Sequence, residues 1–214
     1  MLADLLDLVL PRDCAGCAEP GRTLCGRCAR ELRRPAFAHR PCPAPAGLPD
    51  LTAAAAYDGV VRSVLIAHKE RGRVGLAGPL GRALAEAVRL HGPGAVLVPV
   101  PSAASAVRAR GHDHARRVAA QAGRQLGVRT AAVLVQSRAV DDQSGLDAGE
   151  RRANLSGALT ARRPVPGLDV VVVDDLVTTG ATLAEAARAL DAAGARVRGA
   201  AVVAATLRWS QRRR

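Results

Sequence analysis

Val170–Leu183 reads VVVVDDLVTTGATL. Four consecutive valines predict a strand buried on both faces, here over 168–173. Two carboxylates follow, Asp174 and Asp175, and a Thr/Gly-rich turn then opens an apolar-periodic helix over 182–193 closed by Gly194. At a strand–loop–helix junction the backbone N–H groups of the first helical turn face the loop, and the helix dipole favours a bound anion. Thr178, Thr179 and Thr182 add hydroxyl donors, and Gly180 with Ala181 lets the backbone approach closely. Two carboxylates beside an anion site are out of place in a protein that binds phosphate alone. They suit a ribose phosphate, with Asp174 and Asp175 accepting from the two ribose hydroxyls while the 5-phosphate lies in the loop. A helix cap would account for one carboxylate but not for the whole set.

Working outward, the pattern is α/β. Strands are expected from Leu51 up to a turn at Asp58–Gly59, and at 95–100, 129–136 and 197–207. Helices are expected from Val60, over 76–90 and over 112–126, the last with Gly127 as its C-cap. Strands separated by single helices imply a mainly parallel sheet covered on both faces, with sites at the strands' C-terminal ends. Residues 137–156 are polar and irregular. Five prolines in 34–50, RPAFAHRPCPAPAGLPD, forbid regular helix and read as a linker.

The chain has 214 residues, 49% of them apolar but only 1% aromatic, so its core must be built from Ala, Val and Leu. Stacking platforms for bases are nearly absent. A net charge of +12 points to a polyanionic partner, although the basic residues are spread along the chain and nearly all are Arg. Lys69 is the only lysine, which is read either as a place where a compact ammonium is wanted or as chance retention. Every apolar run falls short of a membrane span. The N-terminal MLADLLDLVL carries Asp4 and Asp7 where a signal peptide needs positive charge, so a short amphipathic helix and a cytoplasmic protein are expected.

Cys14-Ala-Gly-Cys17 and Cys25-Gly-Arg-Cys28 are two knuckle pairs seven residues apart, each glycine being expected to give the tight turn. Four thiolates at this spacing suit a tetrahedral structural Zn²⁺. Cys42 stands outside the pairs, with His39 near it.

The acidic pair and Thr/Gly loop resemble the motif with which type I phosphoribosyltransferases bind 5-phosphoribosyl-1-pyrophosphate (PRPP). Further segments narrow the resemblance to the competence protein F family: the two cysteine pairs, YDG at 57–59, HKERG at 68–72, VPVPS at 98–102, ARGHDHA at 109–115, and QSGL and ERRANL between 143 and 155. Together they span nearly the whole chain. The resemblance implies a zinc module with its N-terminal helix at 1–33, a linker at 34–50, and a phosphoribosyltransferase-like domain at 51–214, with a hood over about 51–93 and a core over about 94–214. It further implies that Val100, Pro101 and Ser102, with Arg108 and Arg110, receive a diphosphate whose charge Mg²⁺ shares. Lys69 and Tyr57 lie in the hood region, where the resemblance makes Lys69 a catalytic candidate and both of them candidates for touching the nucleophile or the pyrophosphate. Residues 137–154 correspond to a loop that closes over PRPP, from which Gln143, Arg151 and Asn154 would reach the ligand. The family usually shows RGFNQA where this chain has RGHDHA at 110–115, which puts in doubt the contacts of His112, Asp113 and His114.

Two readings of function compete. One is a Mg²⁺-dependent phosphoribosyltransferase with an unknown acceptor. The other is an accessory factor in DNA uptake during natural competence, binding single-stranded DNA through its backbone, with PRPP regulatory or vestigial. A weaker third is a PRPP sensor without turnover.

Overall fold

The computed structural model describes residues 13–103, 107–108, 111, 113–137 and 157–207. The expected N-terminal amphipathic helix, Arg110, His112, Gln143, Arg151 and Asn154 lie outside these residues.

Ala, Val, Leu and Gly dictate how closely the layers approach. The central sheet has the order β1 (Phe37–Ala38), β2 (Leu51–Ala56), β7 (Arg196–Ala205), β6 (Asp169–Val177), β3 (Val96–Pro99). Every pairing in it is parallel except that of β1 with β2. β4 (Leu134–Gln136) and β5 (Leu159–Ala161) form a separate antiparallel pair.

The helices are α1 (Gly26–Glu31), α2 (Gly59–Glu70), α3 (Ala77–Arg89), α4 (His114–Leu126) and α5 (Ala181–Ala192). On one face Val171 and Val173 of β6 and Ala201 and Val203 of β7 meet Val64, Leu80, Leu84 and Val118 of α2, α3 and α4. On the other face, Val170 and Val172 meet Leu183, Ala186 and Leu190 of α5. The alternation along β6 thus buries both faces, as the valine run demands. α3 and α4 cross at backbone contact distance, since a Cβ on Gly81 would lie 2.3 Å from Gln121 Cβ and 3.0 Å from Ala122 N. Gly127 closes α4 in the left-handed region at φ 68°, as expected of a glycine C-cap.

The structure departs from the sequence reading in three places. β6 runs on through Asp174 and Asp175 to Val177, because β7 continues to pair with it up to Ala205. The strand expected at 129–136 is shorter, with a single parallel bridge from Leu97 to Thr130 preceding β4. The Pro-rich stretch supplies β1, and its Pro41 and Leu48 side chains pack within 3.4 Å of where a Cβ on Gly180 would lie.

Candidate functional site

The parallel strands deliver their C-terminal ends to one edge, where Tyr57 N–H donates to Ala205 O and Thr206 N–H to Val177 O. Asp174 and Asp175 reach this edge on β6, the 178–181 turn follows them, and the 100–102 loop leaves β3 beside them.

Asp175 continues the alternation of Val171 and Val173 toward α2 and α4. Its Oδ2 lies 3.1 Å from His114 Nε2 and 3.6 Å from Lys69 Nζ. Burial alone would raise its pKa, but the His114 hydrogen bond and the Lys69 charge overcome that and hold it at about 2. Asp174 behaves in the opposite way. Burial and the neighbouring Asp175 charge push it well above the carboxylate range, although its Oδ1 accepts the Asp175 N–H at 2.8 Å. The two carboxylates are therefore pushed apart as a coupled pair, Asp175 downward and Asp174 upward. Such a pair offers several acceptor oxygens to vicinal hydroxyls.

Gly180 takes φ 82° as N-cap of α5, and no side chain caps the helix. Ala181 N–H faces Thr179 Oγ1 at 3.4 Å, Thr178 is exposed, and Thr179 and Thr182 are half-buried. The first turn of α5 is thus lined by threonines.

The β3 loop is poorer in backbone donors than the sequence suggests. Val100 N–H is spent on Val173 O at 2.9 Å, and Pro101 has none. Its donors begin at Ser102, whose hydroxyl donates to Asp113 Oδ1 at 3.2 Å. Asp113 also caps α4 by accepting from Arg116 N–H at 3.1 Å. Behind this loop lies a cavity of about 480 Å³ lined by Ser102, Arg108, Arg116, Gln136 and Arg162. Arg116 and Arg162 line this cavity and His114 contacts Asp175, and sequence reasoning assigned none of the three to the ligand. The signal for His114 was its place in the motif that departs from the family pattern.

At the other end, the four cysteines bring one sulfur each to within 4.8 Å of the others. Cys17 and Cys25 sulfurs are 3.7 Å apart, against about 3.8 Å for tetrahedral thiolates on Zn²⁺. Burial pushes the Cys14 thiol up, but backbone N–H groups of Cys25, Gly16 and Cys17 more than offset it and hold it at about 6. Cys28 is raised by burial. The donor set fits a tetrahedral metal such as zinc. The two glycines are not equivalent, contrary to expectation. A Cβ on Gly16 would lie 2.7 Å from Cys28 Sγ, whereas one on Gly26 meets open space. Among the described residues this is the one cluster with ligand geometry, and Cys42 stands exposed apart from it.

A family model described as Phosphoribosyl transferase domain matches residues 110–213. The C-terminal part of this chain is thus similar to a phosphoribosyl transferase domain.

Over 57 residues the chain is 46% identical to the DNA utilization protein YhgH of Salmonella typhi and 44% identical to that of Escherichia coli (strain K12). The match takes in 27% of this chain and spans a quarter of each relative's length. With the four-cysteine cluster, these findings bear out the competence protein F resemblance and the phosphoribosyltransferase fold. The adenine phosphoribosyltransferase of Leishmania tarentolae aligns with 83% of this chain and 87% of its own, at 15% identity and a TM-score of 0.40. That of Leishmania donovani aligns with 83% and 67%, at 14% identity and 0.38. Among the described residues no helix is long and apolar enough to cross a membrane.

Proposed function

We propose that this protein binds PRPP and transfers its phosphoribosyl group to an acceptor, releasing pyrophosphate. The observation that carries the reading is the Asp174–Asp175 pair at the end of β6, with Asp175 held by His114 and Lys69, set one turn before the threonine-lined N-terminus of α5. Asp174 and Asp175 take the ribose hydroxyls, and Thr178, Thr179, Gly180, Ala181 and Thr182 hold the 5-phosphate. Ser102, at the end of the Val100–Pro101–Ser102 turn, takes the diphosphate with Arg108 and Arg110. Gln143, Arg151 and Asn154 contact the ligand from the segment that follows β4. Mg²⁺ shares the diphosphate charge when bound.

In the reaction the C1–oxygen bond to pyrophosphate breaks, the nucleophile bonds to C1, and the proton it carried is released. Positive charge develops on the ribose ring as the bond breaks, and the negative charge shared by the acidic pair lies on the ribose side. Lys69 and His114 keep Asp175 ionised for this. On this reading residues 1–33 are a structural zinc module, 34–50 a connecting segment and 51–214 the transferase domain. Thiolate ligation of a metal belongs to a reducing compartment, which supports a cytoplasmic location.

Calorimetric titration of Mg²⁺–PRPP tests the reading. Micromolar binding is expected, with at least a tenfold loss in Asp174→Asn and Asp175→Asn. Retained affinity in both variants would sink it.

A second reading, contact with the backbone of single-stranded DNA, is favoured by a cavity of about 650 Å³ between the cysteine cluster and α2. Arg62, Arg71 and Arg73 line it. The kinship with proteins called DNA utilization proteins agrees with this. Affinity for an oligonucleotide should then fall steeply between 50 and 200 mM salt, and the log–log slope should lessen by about 1–2 in Arg62→Ala/Arg71→Ala. A flat salt response rules the reading out.

A further inference from the structure

α5 is built of Ala, Leu and Thr apart from Glu185, Arg188 and Asp191, yet Glu185 is only 6% exposed. A buried carboxylate is costly unless its lone pairs are filled. Here they are. Arg188 Nε donates to Glu185 Oε2 at 2.7 Å, and Arg188 Nη2 to Oε1 at 2.8 Å. Leu159 N–H donates to the same Oε1 at 3.1 Å, and Arg188 Nη2 also reaches Leu159 O at 3.0 Å. The ion pair thus accepts from and donates to the two backbone groups of one residue, as a neighbouring strand would. A backbone N–H from Gly157 adds to the set and, with Leu159 and Arg188, keeps Glu185 ionised against the burial that would raise it.

Leu159 opens β5. The residue before it, Ala158, is fully buried against Ala181, the first residue of α5. Ser137 N–H donates to Ala158 O at 2.9 Å, and the Ser137 hydroxyl to Gly157 O at 2.6 Å. Gly157–Leu159 is therefore clasped between the end of β4 and the first two turns of α5. Glu185 stands four residues after Ala181 and so on the same helix face.

We propose that Glu185 and Arg188 are positioning residues for the phosphate loop, tying the first turn of α5 to Gly157–Leu159 so that its N–H groups are held in register for a ribose 5-phosphate. This rests on the reading of that turn as the 5-phosphate site. Leu, Val or Ala packing would secure β5 against α5 without a buried charge, as it does along the rest of the helix. The ion pair adds directionality, because it fixes where one peptide unit lies along the helix axis.

The test is titration of the full chain with ribose 5-phosphate and, separately, with Mg²⁺–pyrophosphate, in wild type, Glu185→Ala, Glu185→Gln and Arg188→Ala. Ribose 5-phosphate affinity should fall at least tenfold in Glu185→Ala and less in Glu185→Gln, which keeps an acceptor for Leu159 N–H. Pyrophosphate, held on the β3 side, should bind within twofold of wild type throughout. Equal weakening of both ligands, or unchanged ribose 5-phosphate affinity, overturns the proposal. Where wild type binds ribose 5-phosphate, such a failure counts against the positioning role alone. Where wild type fails to bind it, the 5-phosphate site itself falls as well. If Glu185→Ala does not fold, Glu185→Gln and Arg188→Ala decide, read also by amide exchange. Exchange at 181–183 should quicken at least tenfold while that at 171–173 is unchanged, and unchanged exchange at 181–183 would overturn the proposal.

Discussion

His114 Nε2 lies 3.1 Å from Asp175 Oδ2, and both side chains are almost fully buried. The imidazole comes from the first residue of α4 and the carboxylate from the C-terminal end of β6, so the contact ties the start of α4 to the acidic pair. Where the resembling family usually has an amide at this position, this chain has a group that can carry charge. His114→Ala should weaken PRPP binding about tenfold by leaving Asp175 with Lys69 alone. His114→Gln, restoring the family's residue, should stay within about threefold of wild type, since an amide can still donate to Oδ2. Calorimetry at pH 7.5 distinguishes the two, and equal losses would mean that charge is what Asp175 requires.

The acidic pair should set stability against function. Asp175 has a folded-state pKa depressed to about 2, so its contribution is present above the unfolded carboxylate value near 3.9 and is lost as pH falls from about 4 to about 2. Asp174 is shifted upward, so the folded chain binds its proton more tightly than the unfolded one, and stability is lost as pH rises through the window above about 3.9. Asp174→Asn should therefore raise Tm at pH 7.5 by a few degrees while weakening PRPP binding, whereas Asp175→Asn should lower both. Thermal melts from pH 3 to pH 8 check this, and the Asp174→Asn gain should shrink toward the acid end.

Gly180 and Gly127 both adopt positive φ, at 82° and 68°, so alanine at either should cost about 1 kcal/mol. They differ in surroundings. A Cβ at 180 would come within 3.2 Å of Leu48, while one at 127 meets nothing within 4 Å. Gly180→Ala should lower both Tm and ribose 5-phosphate affinity, the latter by at least tenfold. Gly127→Ala should lower Tm alone.

The cysteine cluster should hold one metal ion per chain, measurable by atomic emission on the purified protein. Its removal by a strong chelator should lower Tm by on the order of 10 °C or more, because four closely spaced thiols repel once ionised and the segment has little apolar core of its own. Cys28→Ser should behave like the chelated protein. Gly16→Ala should too, since its methyl would collide with the Cys28 sulfur. Gly26→Ala should not. Full stability after metal removal would show that the knuckles hold without it.

Much of the fold is legible in the sequence. The valine run implied a strand buried on both faces, Gly127 a helix end, and the paired knuckles a single metal cluster, because each depends on neighbours a few residues away. The extension of β6 through Asp174 and Asp175 was not legible, since it depends on β7, whose residues come later in the chain and keep pairing past the point where the apolar pattern stops. Nor was the loss of Val100 N–H to Val173, which is a consequence of sheet order.

The sequence by itself determined which groups this protein owns: two adjacent carboxylates, a threonine and glycine turn, four thiols in two pairs, and a chain apolar enough to cover a parallel sheet. Local spacing carries that information, because turns, caps and knuckles are short-range geometry. Tertiary structure alone decided which carboxylate is shifted down and which up. That depends on His114, 61 residues before Asp175 in the chain, and on Lys69, 106 before it, and electrostatic preference follows distance in space rather than along the chain. The same holds for Glu185, one charge among many in the sequence, which the fold buries against a single peptide unit.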